Sequence, residues 1–93
     1  MERVTIFVRG QVQGVGFRWW TRARALELGL TGFARNMADG RVEICVQGSP
    51  QAIERLRTLV QEEPSTTRRP GLVQSCVIQK GDLKAGLSGF HEK

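Results

Sequence analysis

The sequence is poor in the residues from which many catalytic and structural centres are built. Its 93 residues include one histidine, His91, and two cysteines, Cys45 and Cys76. A structural zinc site takes four Cys or His ligands, usually with a closely spaced Cys pair. Neither the number nor a Cys-x-x-Cys pair is present. A secreted domain this small normally carries several disulfides. Two cysteines, each inside an apolar run, read instead as reduced thiols of a cytoplasmic protein. No stretch approaches the ~20 apolar residues of a membrane-spanning helix. The chain runs from Met1-Glu2-Arg3 directly into a strand-like segment, so no signal peptide is expected. Repeats, linkers and low-complexity tracts are also missing, and residues 1–93 are expected to form a single domain. What remains is a composition of 40% hydrophobic and 25% charged residues, that of an ordinary globular chain, with a formal net charge of +5. A basic surface attracts anions, whether nucleic acid, a membrane surface or a small phosphorylated molecule.

The local pattern is clear in the first half. Val4, Ile6 and Val8 alternate with Thr5, Phe7 and Arg9, which predicts a half-buried strand over 3–9. Gly10 to Gly16 carries three glycines in seven residues and reads as a loop. A helix is expected from Phe17 or Arg18 to Leu28, with Phe17, Thr21, Ala25 and Leu28 on one face and Gly29 as its stop. Leu30–Asn36 and Arg41–Gln47 read as two strands of a hairpin around an Asp39-Gly40 turn, with Val42, Ile44 and Val46 on one side. Ser49 and Pro50 supply the N-cap and first position of a second helix. Ile53, Leu56, Leu59 and Val60 form its stripe, and Pro64 ends it. Residues 65–71 read as a polar, basic, solvated loop. Leu72–Gln79 is a fourth strand, and Gly89–His91 a short final one. The order strand, helix, strand, strand, helix, strand predicts an α+β ferredoxin-like βαββαβ sandwich, an antiparallel sheet with two helices packed on one face. That fold hosts many functions.

Two segments carry chemistry. GQVQGVGFR, Gly10 to Arg18, joins the first strand to the first helix. Its glycines let successive N–H groups point into one concavity, and the helix adds the positive end of its dipole. Arg18 at the junction has the forked, permanent charge suited to a phosphate. The Gly-Lys-Ser/Thr ending of a nucleotide-binding P-loop is absent, and the glycine spacing differs from that of a dinucleotide fingerprint. Taken alone, the segment also fits a tight strand-to-helix connection with an exposed Arg18. In the second segment, GFARNMADGRVE, Asn36 closes a strand, where an Asn is often a turn residue bonding its own backbone.

Together, GQVQGVGFR, then LGLTGFARN ten residues on, then ADGRVE resemble the double motif of the acylphosphatases, from about Arg3 to Gly48. The resemblance implies the same ferredoxin-like sandwich and hydrolysis of a small-molecule acyl phosphate to a carboxylate and inorganic phosphate, with no metal and no cofactor. Position by position it assigns Arg18 to the phosphate, the amides of Gln13, Gly14, Val15, Gly16 and Phe17 to a phosphate cradle, and Asn36 to the attacking water. The chain departs from the family at Phe33, where Trp is usual, and in its final residues, where a more regular strand is usual.

Other residues have plainer readings. Of Trp19 and Trp20, one is expected to pack inward and one to be exposed. His91 reads as exposed or packed in the tail. Cys45 is expected on the open face of the sheet and Cys76 inward, on non-adjacent strands, with no disulfide. An RNA-recognition module shares the topology, but it stacks bases on aromatics of the central strands. Here the outward positions are Thr5, Phe7, Arg9, Arg41, Glu43 and Cys45, and only Phe7 qualifies. A similar module begins larger carbamoyltransferases of hydrogenase maturation, for the rest of which 93 residues leave no room. A monomer is expected, without nucleic-acid or membrane partners.

Overall fold

The computed structural model describes residues 1–93. Seven elements follow in order: β1 (Glu2–Gln11), α1 (Phe17–Glu27), β2 (Thr31–Asn36), β3 (Val42–Gly48), α2 (Pro50–Gln61), β4 (Leu72–Gly81) and β5 (Phe90–Glu92). The strands form one sheet in the order β4-β1-β3-β2-β5. Val4, Ile6 and Val8 of β1 and Val42, Ile44 and Val46 of β3 point to one side. There they meet Phe17, Trp20 and Ala25 of α1 and Ile53, Leu56, Leu59 and Val60 of α2 in a single buried cluster. This is the α+β ferredoxin-like sandwich, and the alternation that predicted it is the alternation that fills its core.

The ends of the elements differ from expectation in physically informative ways. β1 does not stop at Arg9. It continues through Gly10 and Gln11, with a register shift against β4 between Arg9 and Gly10. Gly10 has φ 142°, and a Cβ there would lie 2.0 Å from the carbonyl oxygen of Leu72. The glycine therefore admits a neighbouring strand, and the loop proper is only residues 12–16. The sheet is mixed, because β5 pairs with β2 in parallel while every other pairing is antiparallel. β4 ends at the edge of the sheet where β2 begins, with Gly81 opposite Arg3, Arg3 opposite Gln47, and Gln47 opposite Thr31. A strand that follows β4 on the far side of the sheet must run in the same direction as β2.

Cys45 does face away from the helices, yet it is buried, because residues 82–89 cross that face between β4 and β5. Gln47 fastens the crossover: its Nε2 donates to Lys84 O and its Oε1 accepts from Lys84 N, each at 2.8 Å. Cys76 is half-buried against the core, and both thiols are unpaired.

The second helix begins as expected, with Ser49 Oγ accepting from Ala52 N at 3.1 Å and Pro50 in the first turn. Its end is a correction to the solvated basic loop. Arg69 is buried, and its Nη1 donates to the carbonyls of Leu59, Val60 and Glu62 at 3.3, 2.8 and 2.7 Å. The last carbonyls of a helix lack intrahelical donors and carry the negative end of the dipole, so a guanidinium is a fitting cap. The same loop accepts a hydrogen bond from α1, Trp20 Nε1 to Thr67 O at 3.1 Å.

Candidate active site

The loop leading into α1 is shaped by two left-handed glycines, Gly14 at φ 72° and Gly16 at φ 88°. A Cβ at either would meet nothing within 4 Å, so conformation and not crowding calls for glycine there. Gly14, Val15 and Gly16 are exposed. The backbone N–H groups of Gln13, Gly14, Val15 and Gly16 donate to no protein acceptor. Gly16 is the N-cap of α1, where no side chain caps the helix, and no acidic residue stands in the first turn. Free N–H groups and the positive end of a helix dipole thus share one exposed surface. Phe17 turns the chain inward. It is buried and stacks on Trp20, with ring centroids 5.7 Å apart.

Arg18 stands in the first turn of α1. Its Nη1 donates to Lys93 O at 2.5 Å, and Lys93 N donates to Ala34 O at 2.8 Å. Two hydrogen bonds therefore link the guanidinium to β2, two residues before Asn36. No Asp or Glu side chain pairs with Arg18. Most of its five donors remain available to a ligand.

Asn36 is the last residue of β2, opposite Val42. It shares a parity with Gly32 and Ala34, which face the helices, and it is exposed. Its carboxamide makes no hydrogen bond to the protein, so the alternative of an Asn bonding its own turn is not realised. The turn after it is held by other groups. Met37 N donates to Arg41 O at 2.8 Å, and Gly40 N donates to Met37 O at 3.1 Å. Asp39 accepts from the Arg41 backbone N–H at 3.1 Å and from its Nε at 2.7 Å. These bonds, the backbone one foremost, hold the Asp39 carboxyl below its usual range.

The side chain of Gln13 joins loop and turn. Its Nε2 donates to Met37 O at 2.7 Å and to Arg41 O at 2.9 Å. Sequence reasoning had used only the main chain of Gln13. The structure makes its half-buried side chain the tie between the glycine-rich loop and the residue that follows Asn36. The available signal was a long polar side chain inside an otherwise small and apolar loop. Arg69 was missed in the same way, although a basic residue shortly after a helix end is a known capping pattern.

The opposite face of the sheet does not offer the bare aromatics of an RNA platform. The Arg41 guanidinium lies over Phe7 at 4.9 Å, and the Lys93 ammonium lies over Phe33 at 4.0 Å. Trp20 is buried, whereas Trp19 is 65% exposed beside Arg18. His91 is exposed, its Nε2 3.2 Å from Ser88 O. Nowhere do three His, Cys, Asp or Glu side chains converge. No helix is long and apolar enough to cross a membrane.

A family model described as Acylphosphatase matches residues 4–91. An acylphosphatase of Thermobifida fusca (strain YX) is 52% identical over 91 residues, which is 98% of this chain and 96% of that protein. One from Mycobacterium sp. (strain JLS) is 50% identical over 91 residues, 98% of this chain and 93% of that one. The crystal structure of acylphosphatase from Bacillus subtilis superposes with a TM-score of 0.84 at 27% identity, covering 100% of this chain and 99% of that one.

Proposed function

The chain belongs to the acylphosphatase family, and from that premise we propose a mechanism in which Arg18 and the amides of Gln13, Gly14, Val15, Gly16 and Phe17 hold the substrate's phosphate while Asn36 orients the attacking water. The enzyme is a hydrolase of acid anhydrides, taking an acyl phosphate to a carboxylate and inorganic phosphate. The leaving carboxylate has a conjugate acid of pKa near 4, so it departs at neutral pH without a general acid. Phosphoryl transfer then asks chiefly for positioning and for charge to face the equatorial oxygens. The observation that carries the proposal is the run of unsatisfied N–H groups beside Arg18, whose guanidinium meets no Asp or Glu side chain, at an uncapped helix N-terminus.

Asn36 has an amide donor and an amide acceptor, both free of protein partners, and an amide is no base at neutral pH. It aligns water against the phosphorus, opposite the acyl oxygen. The water oxygen–phosphorus bond forms as the phosphorus–acyl oxygen bond breaks, and the electron pair leaves with the carboxylate. The proton of the water passes to a phosphate oxygen of the substrate. No enzyme nucleophile and no metal take part. We take residues 1–93 as one catalytic unit acting as a monomer in the cytoplasm, a setting suited to its two unpaired thiols.

The test is benzoyl phosphate hydrolysis in the presence of EDTA, comparing wild type with Arg18→Ala and Asn36→Ala. Loss of a preorganised donor facing developing charge typically costs about 10²–10³ in kcat. Falls of that size in both folded variants are expected. Turnover that survives Arg18→Ala, or that EDTA abolishes, refutes the mechanism.

A further inference from the structure

A second concave site lies on the face of the sheet away from the helices. Between the crossover of residues 82–89 and strands β2 and β3 there is a cleft of about 300 Å³. Phe33 and Leu87 give it apolar surface over the buried Cys45, and Arg3, Lys84 and Lys93 are the cationic residues of its walls, with no Asp or Glu among the lining residues. None of the three cations belongs to an ion pair. The only charge-stabilising contact among them is that of Lys93 Nζ over the Phe33 ring at 4.0 Å. The cleft has a firm frame, because the double hydrogen bond of Gln47 to Lys84 fixes the crossover against β3.

Like charges gathered around a concave, partly apolar surface raise one another's potential and focus it into the cleft. The packing of the sheet does not require them, since the core lies wholly on the other face. A bound anion would relieve that repulsion, and apolar surface beside the charges favours an anion that carries an apolar body. The volume sits at the lower end of small-molecule sites, matching a one- or two-ring molecule and not a nucleotide. We propose that this cleft is a binding site for a small organic carboxylate with a flat apolar body, separate from the phosphate-binding loop. Its carboxylate meets Lys84, Lys93 and Arg3 while its body covers Phe33, Cys45 and Leu87. The two sites are joined at residue 93, whose main chain links Arg18 to Ala34 and whose side chain lines the cleft.

The experiment is a titration of the intact protein with 2-naphthoate, followed by amide NMR, with saturating inorganic phosphate present to occupy the catalytic loop. Saturable shifts are expected at Phe33, Cys45 and Leu87, with a dissociation constant below about 1 mM. Partly exposed charge contacts are each worth only a few-fold in affinity. Lys84→Gln, on the exposed crossover, should therefore weaken binding by about threefold, as should Arg3→Gln. The neutral 2-naphthamide tests the charge requirement without altering the protein, and it should bind several-fold more weakly. Absence of saturable shifts up to about 5 mM naphthoate, equal binding of the amide, or shifts confined to Gln13–Arg18 would overturn the proposal.

Discussion

Gln13→Met isolates what holds the two halves of the catalytic site in register. Methionine keeps the length and much of the volume of the side chain but removes the two N–H donors that reach Met37 O and Arg41 O at 2.7 and 2.9 Å. Each carbonyl retains one main-chain donor, Gly40 N at 3.1 Å and Met37 N at 2.8 Å. Neither is left bare, so the full desolvation penalty does not apply. Two hydrogen bonds at about 0.5–1.5 kcal/mol each place the loss of stability at about 1–3 kcal/mol. For a chain of this length that corresponds to a fall in Tm of about 5–15 °C. The kinetic effect should be as large as the thermodynamic one. The lost bonds are those that fix the loop against the residue following Asn36, and a displacement of about 1 Å between reacting groups costs on the order of 100-fold. The assay is kcat and KM for benzoyl phosphate, with urea denaturation of the same samples. Ser49→Ala is the control. It removes the N-cap of α2 at about 1 kcal/mol, away from the site, and should leave kcat unchanged. If Gln13→Met turns over within about twofold of wild type while folded, the loop is positioned by something other than this side chain and the reasoning fails.

Two further predictions concern the frame of the molecule. Arg69→Met should cost about 2–3 kcal/mol in urea denaturation, because three carbonyls at the end of α2 lose a charged donor, and it should spare kcat in the protein that remains folded. The Asp39 carboxyl has a folded-state pKa below its ordinary 3.8. Its stabilising effect is therefore complete above the unfolded value and disappears as the pH falls through the lower, folded value. Asp39→Asn should flatten the decline of Tm between about pH 5 and pH 2, and an unchanged acid limb would show that the Asp39–Arg41 contact does not couple to folding.

What could be read from the sequence is what local contacts specify. The alternation in β1 and β3, the Asp39-Gly40 turn and the Ser49-Pro50 helix start each depend on residues a few positions apart, and each appears as expected. What could not be read joins distant positions. Gln13 reaches Arg41 across 28 residues, Gln47 reaches Lys84 across 37 and Trp20 reaches Thr67 across 47. No periodicity encodes such pairs. The covering of Cys45 and the parallel β5 also follow from the crossover, whose weakly patterned sequence gives no sign of its path. For the site itself, the glycine-rich loop alone left a plain strand-to-helix connection equally open. It was the pairing of that loop with the segment around Asn36, and their match to a family motif, that singled out Arg18 and Asn36.

The unequal settings of the two tryptophans give the molecule an optical label beside its phosphate loop. Trp20 is buried, stacked on Phe17 and hydrogen-bonded to Thr67, while its neighbour Trp19 stands 65% exposed. Emission from the folded chain is therefore expected to be the sum of a blue, quencher-protected component and a red, quencher-accessible one. The protected indole touches the residue that closes the loop at one end and the segment that caps α2 through Arg69 at the other. Acrylamide quenching of the blue component can thus follow local opening at this junction while Trp19 serves as an internal reference in the same spectrum.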